Sequence, residues 1–231
     1  MDKKIDVLDK GYVRLVSTMG NDLTVVNSAR VSYDKASHEM DDKDKRLIRF
    51  LAKNLHTSPF RHSMLQFEVY SPLLVARQHW KYIVGSDFRD PLTGAWNESS
   101  RRYITEEPEF YVIGSDQWRN VPESSKQGSG ECLSLEIGDK WTRELTEHYD
   151  QSLEKYEQAM KDGVCVEQAR VFLPAYALYV RYYWTASLQA VAHFINQRLA
   201  HDAQKEIQEY ARATLLLTQS EFPHSIEELV G

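Results

Sequence analysis

Apolar residues recur along the chain with two different periods, and the runs they form predict a mixture of strands and helices. Lys4 to Leu8 and Tyr12 to Ser17 read as short strands around a turn at Gly11. Asn21 and Asp22 have the chemistry of a helix start, and that helix is expected to run through "DLTVVNSARVSY". A charged connection from Asp34 to Asp44 leads into "KRLIRFLAKNLH", where Leu47, Ile48, Leu51 and Leu55 fall at helical spacing. Pro59 in "HTSPFRH" breaks this helix, and "MLQFEVYS" alternates like a half-buried strand. Pro72 suits the first turn of a further helix, "PLLVARQHWKYIV", which is apolar on most sides.

The second half begins with a loop, "GSDFRDPLTG", marked by its Gly, Asp and Pro content. "EFYVI" reads as a strand, and Pro122 to Gly130 as a flexible Ser/Gly-rich stretch. A long polar-faced helix starting at Glu136 is expected to end at Gly163, and "CVEQARVFLP" is a short helix stopped by Pro174. "YALYVRYYWTA" is ambiguous between strand and extended segment. The strongest helical pattern runs from Leu188 to about Gln219. No internal repeat and no composition shift divides the chain, so one α+β domain over residues 1–231 is expected.

Composition narrows the function classes. With 231 residues, 42% of them apolar and 27% charged, the chain can bury a substantial core. A net charge of −6 argues against broad nucleic-acid binding but leaves room for a local basic pocket. No apolar run is long enough to span a membrane, and the start, "MDKKIDVLDKG", lacks the apolar stretch of a signal peptide. The two cysteines, Cys132 and Cys165, have no metal or redox spacing, so a reducing cytoplasm is the expected setting. Histidine spacing gives no convincing metal site.

Three groups of residues carry candidate chemistry. On the Leu188 pattern, Leu188, Val191, Ala192, Ile195, Leu199 and Ala203 share an apolar arc, while Gln189, His193, Gln197 and His201 lie on the polar side. Arg198 and Asp202 fall at or inside the apolar arc, four residues apart. Either they form a semi-buried ion pair at a subunit contact, or Arg198 faces a ligand in a partly dry cleft. Arg77, Gln78 and Lys81 place cationic and amide groups on an otherwise apolar helix; acidic partners or a phosphate could answer them. "NESSRRY", Asn97 to Tyr103, offers hydroxyls, backbone N–H groups and guanidinium groups that could surround an anion, or could be a solvated turn. No Gly-rich dinucleotide fingerprint follows a strand.

Taken together, "IDVLDKGYVRLVSTMGNDLTVVNSARVSY", "HTSPFRH", "SPLLVARQHW", "NESSRRY", "QARVFLP" and "HFINQRLAHDAQKEIQEYA" resemble, in order, the flavin-dependent thymidylate synthases. The resemblance implies an α+β fold with a small, mostly antiparallel sheet and several long helices. It implies a homotetramer with sites shared between subunits. It also implies FAD as cofactor, NADPH and methylenetetrahydrofolate as co-substrates, and conversion of dUMP to dTMP without a cysteine nucleophile. The reduced flavin would carry the redox chemistry, and the protein would supply positioning and electrostatics.

Residue by residue, the resemblance places Gln78, Lys81, Glu98, Ser99, Ser100, Arg101, Arg102, Arg170 and Arg198 at dUMP, with Arg198 as the catalytic cation. It places Ser32, His56, Ser58, Lys81, Tyr82, Ile83, Asn97, Glu98, Ser187, Gln189 and His193 at FAD. No metal is implied. The chain departs from the family in four respects. "KYI", Lys81 to Ile83, replaces an Arg-His-Arg triplet, and about nine extra residues precede Asn97. Arg61 stands where a Glu is common, and Ser187 and Gln189 replace an Asn and an Arg near the flavin. Lysine keeps a charge but not the planar fork of arginine, so flavin contacts are the more altered part of the site. Two other readings stay open: a nucleotide- or flavin-binding relative without synthase activity, and an oligomeric interaction protein whose polar clusters are subunit salt bridges.

Overall fold

The structure, a computed structural model, describes residues 3–31, 36–82, 107–122 and 128–231, and the backbone of Asn97 and Glu98. Five antiparallel strands, β1 (Lys4–Val7), β2 (Gly11–Met19), β3 (Met64–Pro72), β4 (Asn97–Glu98) and β5 (Tyr179–Ser187), form one sheet in the order β1-β2-β3-β5-β4. Around it stand α1 (Asp22–Arg30), α2 (Asp42–Lys53), α3 (Leu73–His79), α4 (Leu135–Lys161), α5 (Val166–Ala169), α6 (Leu188–Arg198), α7 (Lys205–Gln219) and α8 (Pro223–Leu229). The α+β architecture agrees with the sequence pattern.

The central strands β3 and β5 pair in continuous register from Met64↔Ser187 to Pro72↔Tyr179. Phe67, Val69, Tyr182, Trp184 and Ala186 are buried there, packed against Leu188, Phe194, Ile207 and Tyr210 from the helices. Burying side chains of this size stabilises the fold by roughly 1.5–3 kcal/mol each. Gly11 permits a close approach of α7: a Cβ there would lie 1.9 Å from the Tyr210 hydroxyl, which donates to the Tyr70 carbonyl at 2.8 Å. A smaller core forms where α4 and α5 pack Tyr149, Tyr156 and Ala169 on Phe110 and Leu173.

Several boundaries differ from the pattern, each for a local reason. α1 stops at Arg30, with Val31 as its C-cap, so the helix expected to reach Tyr33 ends early; residues 32–35 lie outside the described residues. α2 begins at Asp42, not within the run that starts at Lys45, because Asp41 and Asp44 form a reciprocal capping box. It closes at Asn54, before Pro59, with Leu55 at positive φ (57°). Pro72 is the N-cap of α3, at the end of β3, and α3 is only seven residues long. Lys81 therefore lies past the helix, and Arg77 and Lys81 do not share one helical face. "EFYVI" contributes a single bridge, Phe110↔Leu178, not a strand. The ambiguous aromatic segment is β5 from Tyr179 onward.

The largest correction concerns the C-terminal helix. It is two helices, α6 and α7, separated at Leu199 to Gln204. The buried Gln208 side chain donates to the carbonyls of Ala200 (3.1 Å) and Ala203 (2.8 Å), satisfying acceptors that the break releases. Asp202 is consequently not on the helix of Arg198, and among the described residues the two form no ion pair. The two also do not share the continuous arc on which their i,i+4 contact was expected.

Candidate active site

The β5–α6 junction builds the site. Ser187 ends β5 and caps α6, its hydroxyl accepting from Ala190 N–H at 3.3 Å. From there α6 buries Leu188, Val191, Ala192, Phe194 and Ile195, so Gln189, His193 and Gln197 turn to its other side. Ser187, Gln189, Ala190 and His193 line a pocket of about 410 Å³ with Arg61, Lys81 and Tyr82. Tyr82 lies 5.8 Å, centroid to centroid, from His193 and 5.1 Å from Phe194. Burial pushes the Tyr82 hydroxyl above its usual pKa, against the opposing charge of Arg198. Gln189 Oε1 is buried without a hydrogen-bond partner, an acceptor awaiting a donor.

A second cleft, of about 380 Å³, adjoins the first and is lined by Gln78, Gly128, Gln197, Arg198, Ala200, Asp202, Ala203 and Gln204. Arg198, at the C-terminal end of α6, stands 5.2 Å over the Tyr82 ring, where a cation interacts favourably with both the ring face and the helix dipole. It is half-buried, pairs with no carboxylate among the described residues, and its Nε is buried without a partner. A buried N–H left unanswered costs on the order of 1–3 kcal/mol, so this group is poised for an acceptor.

Behind Tyr82 lies a buried aromatic cluster. His79 is buried against Phe194 (4.2 Å between centroids), Trp184 (4.4 Å) and Tyr182, whose hydroxyl lies 3.1 Å from Nδ1. Burial, with a smaller contribution from the Arg198 charge, lowers the His79 pKa to about 3. Trp184 Nε1 donates to the Tyr82 carbonyl at 3.1 Å, tying the pocket wall to β5.

The structure thus brings together Lys81, Tyr82, Ser187, Gln189 and His193 at one cleft, and Gln78 and Arg198 at the adjoining one. His56 and Ser58 are exposed near the end of α2 and line neither cleft. Arg170 lies exposed on a 3-10 turn, Arg170–Phe172, with Nε donating to the Glu167 carbonyl, also away from both clefts. Ser32, Ile83, Ser99, Ser100, Arg101 and Arg102 lie outside the described residues, and only the backbone of Asn97 and Glu98 is described, paired with Tyr183 and Tyr182.

Sequence reasoning missed Gln204 and Glu206, because both sat inside a supposed continuous helix. It also passed over Glu68, which gathers Tyr12 (2.6 Å), Arg14, Tyr183 (3.3 Å) and Arg181 (3.7 Å) on the sheet. Burial raises the Glu68 pKa, but hydrogen bonds from Tyr12 and Arg14 and the nearby guanidinium charges outweigh it and hold the carboxyl below its usual range.

Residues 14–224 match the family described as thymidylate synthase complementing protein. The flavin-dependent thymidylate synthase of Thermotoga neapolitana is 34% identical over 227 residues, covering 98% of this chain and 94% of that protein. The enzyme of the same name from Thermus thermophilus is 36% identical over 219 residues, covering 95% and 75% respectively. Among solved structures, the UMP/dUMP methylase PolB from Streptomyces cacaoi bound with 5-Br dUMP superposes with a TM-score of 0.78 at 26% identity, covering 97% of this chain and 96% of that one. Similarity of this extent, in sequence and in fold, means that the chain belongs to the flavin-dependent thymidylate synthase family.

Proposed function

We propose that the protein converts dUMP to dTMP by reductive methylation, with methylenetetrahydrofolate as carbon donor, FAD as hydride carrier and NADPH as reductant. The observation that carries this reading is Arg198: a half-buried cation with an unanswered Nε, standing beside an aromatic-walled pocket. Its N–H groups suit a pyrimidine carbonyl oxygen that becomes more negative as the ring is activated.

The first cleft fits a flavin ring in kind. Tyr82 and His193 offer flat surfaces, Gln189 Oε1 offers a buried acceptor for a ring N–H, and Arg61 and Lys81 offer charge for phosphate. A flavin bound there supplies the hydride chemistry that side chains lack. The chain's own residues orient the nucleotide, hold charge near the pyrimidine and shield the site. Cys132 and Cys165 are exposed and line neither cleft, in keeping with a reaction that uses no cysteine nucleophile.

The proposed site is completed by the Asn97–Arg102 segment for the nucleotide phosphate, by Ser32, His56, Ser58 and Ile83 for the flavin, and by a second subunit. Arg170, assigned to the nucleotide, lies away from the clefts of its own chain, with exposed Val171 and Phe172 beside it. Another copy in a homotetramer would bring it to a site. We read residues 1–231 as one domain acting in the cytoplasm; among the described residues no helix is long and apolar enough to cross a membrane.

The test is product formation by purified protein given FAD, NADPH and methylenetetrahydrofolate, with dUMP and with UMP as alternative substrates. dTMP should form from dUMP and vanish when any component is omitted. Tight dUMP binding without product, in folded flavin-loaded protein, would instead identify a relative that has lost catalysis.

A further inference from the structure

A glutamine at a binding site is ambiguous, because its amide can present either a donor or an acceptor. At Gln78 a chain of contacts removes the ambiguity. Arg119 Nη2 donates to Glu206 Oε1 at 2.5 Å, and the other carboxylate oxygen accepts from Gln204 Nε2 at 2.8 Å. Gln204 Oε1 in turn accepts from Gln78 Nε2 at 2.6 Å, and the same nitrogen reaches the Leu74 carbonyl at 3.3 Å.

Each link dictates the next. A carboxylate paired with a guanidinium only accepts, so Gln204 must turn its NH2 toward Glu206. Its carbonyl then faces Gln78, which must answer with its own NH2. Gln78 Oε1 makes no hydrogen bond among the described residues, and Gln78 lines the cleft that holds Arg198. The head of the chain is firmly set. Glu206 is 4% exposed in the first turn of α7, where negative charge is favoured, and Arg119 is held by its bridge to Cys132.

We propose that Arg119, Glu206 and Gln204 form a polar relay that fixes the Gln78 amide with its carbonyl toward the nucleotide, making all three positioning residues. The inference rests on the reading above, in which Gln78 contacts dUMP. Gln78 then accepts a hydrogen bond from the nucleotide. dUMP carries two such donors, the ring N3–H and the sugar 3′-hydroxyl, and its ionised phosphate carries none. Gln78 is therefore a reader of ring or sugar and not a phosphate ligand.

Glu206→Gln inverts the relay with almost no change of shape. The introduced amide must keep its carbonyl for Arg119, so its NH2 faces Gln204; both it and Gln204 then present the opposite ends to their neighbours, and Gln78 turns its NH2 to the cleft. dUMP affinity, measured by titration of the flavin-loaded protein, should fall by about tenfold or more, ~1.4 kcal/mol. Adding Gln204→Glu restores an acceptor opposite both neighbours, so Gln204→Glu/Glu206→Gln should recover most of the affinity. A purely structural role for Glu206 would not give that rescue. Gln204→Met cuts the relay at its exposed middle and should also weaken dUMP, which keeps the test decisive if Glu206→Gln does not fold.

Gln78→Ala separates the possible failures. Weakening by Gln78→Ala with unchanged affinity in folded Glu206→Gln and in Gln204→Met overturns the relay alone. Unchanged affinity in Gln78→Ala removes the contact that the relay would orient, and overturns the proposal while dUMP binding by the parent protein still supports the functional reading. No dUMP binding by the parent protein overturns that reading itself. N3-methyl-dUMP and 3′-deoxy-dUMP identify the donor: one of them should bind worse to the parent protein but not to Gln78→Ala. Equal binding of both analogues and dUMP to the parent protein contradicts an accepting Gln78.

Discussion

Arg198→Ala is expected to leave the fold intact and to lower turnover of dUMP by more than about tenfold, at least ~1.4 kcal/mol of barrier. The side chain extends from the C-terminal end of α6 over Tyr82, and among the described residues it makes no ion pair whose loss would unsettle the fold. What alanine removes is a pre-positioned cation whose Nε has no partner within the described protein, at the cleft shared with Gln78 and Gln204. Such a group contributes most when charge builds on the substrate, so kcat should fall further than dUMP affinity. Arg198→Lys keeps a point charge but loses the Nε donor and the planar fork, and should recover only part of the rate. Steady-state kinetics with direct nucleotide titration would decide it: near-parental turnover in Arg198→Ala would exclude the catalytic assignment.

Stability should fall by ~2 kcal/mol between pH 7 and pH 5 because of His79 alone. Its pKa is about 3 in the folded protein, through burial and then the Arg198 charge, against 6.5 as the ordinary value. The sign follows from proton counting. Below pH 6.5 the unfolded chain binds a proton at this imidazole while the folded chain does not, so acid favours unfolding until the pH reaches the folded pKa. The penalty is absent above the ordinary value and complete near the folded one. His79→Gln keeps a hydrogen-bonding group near the Tyr182 hydroxyl and cannot titrate. Denaturant unfolding of both proteins at pH 7 and pH 5 should show the larger loss in the parent; parallel losses would mean that His79 is not held neutral by its surroundings.

The helices that were easiest to read are those with a regular apolar spacing or a glycine stop. Leu188, Val191, Ala192 and Ile195 are buried as their spacing predicts, and the long helix ends near Gly163, which adopts φ of +92°. The break between α6 and α7 gave no warning, since "LAHDAQK" contains neither Gly nor Pro. It persists because Gln208, one turn into α7, satisfies the freed carbonyls, a tertiary reason that no local pattern displays. β5 was ambiguous because aromatic residues occupy both of its faces. Tyr182 and Trp184 face the core, whereas Tyr183 between them is partly exposed and reaches Glu68.

The site was legible to a different degree. Resemblance pointed to Gln78, Lys81, Tyr82, Ser187, Gln189, His193 and Arg198, which line the two clefts, and equally to His56, Ser58 and Arg170, which line neither. The break removes the helical spacing that would have paired Arg198 with Asp202, and leaves Arg198 at the end of α6. What supports Arg198 is its unanswered Nε and its place over Tyr82. The relay behind Gln78 could not be read at all, because it joins Gln78, Arg119, Gln204 and Glu206 from segments distant in sequence.

The most direct test of the central claim is tritium release from dUMP labelled at the ring carbon that receives the methyl group. The protein would be supplied with FAD, NADPH and methylenetetrahydrofolate, each omitted in turn. Release matched by dTMP formation, and lost with each omission, is the expected result and would show that Lys81-Tyr82-Ile83 supports the reaction. No release from folded, flavin-loaded protein with dUMP bound would contradict the synthase reading.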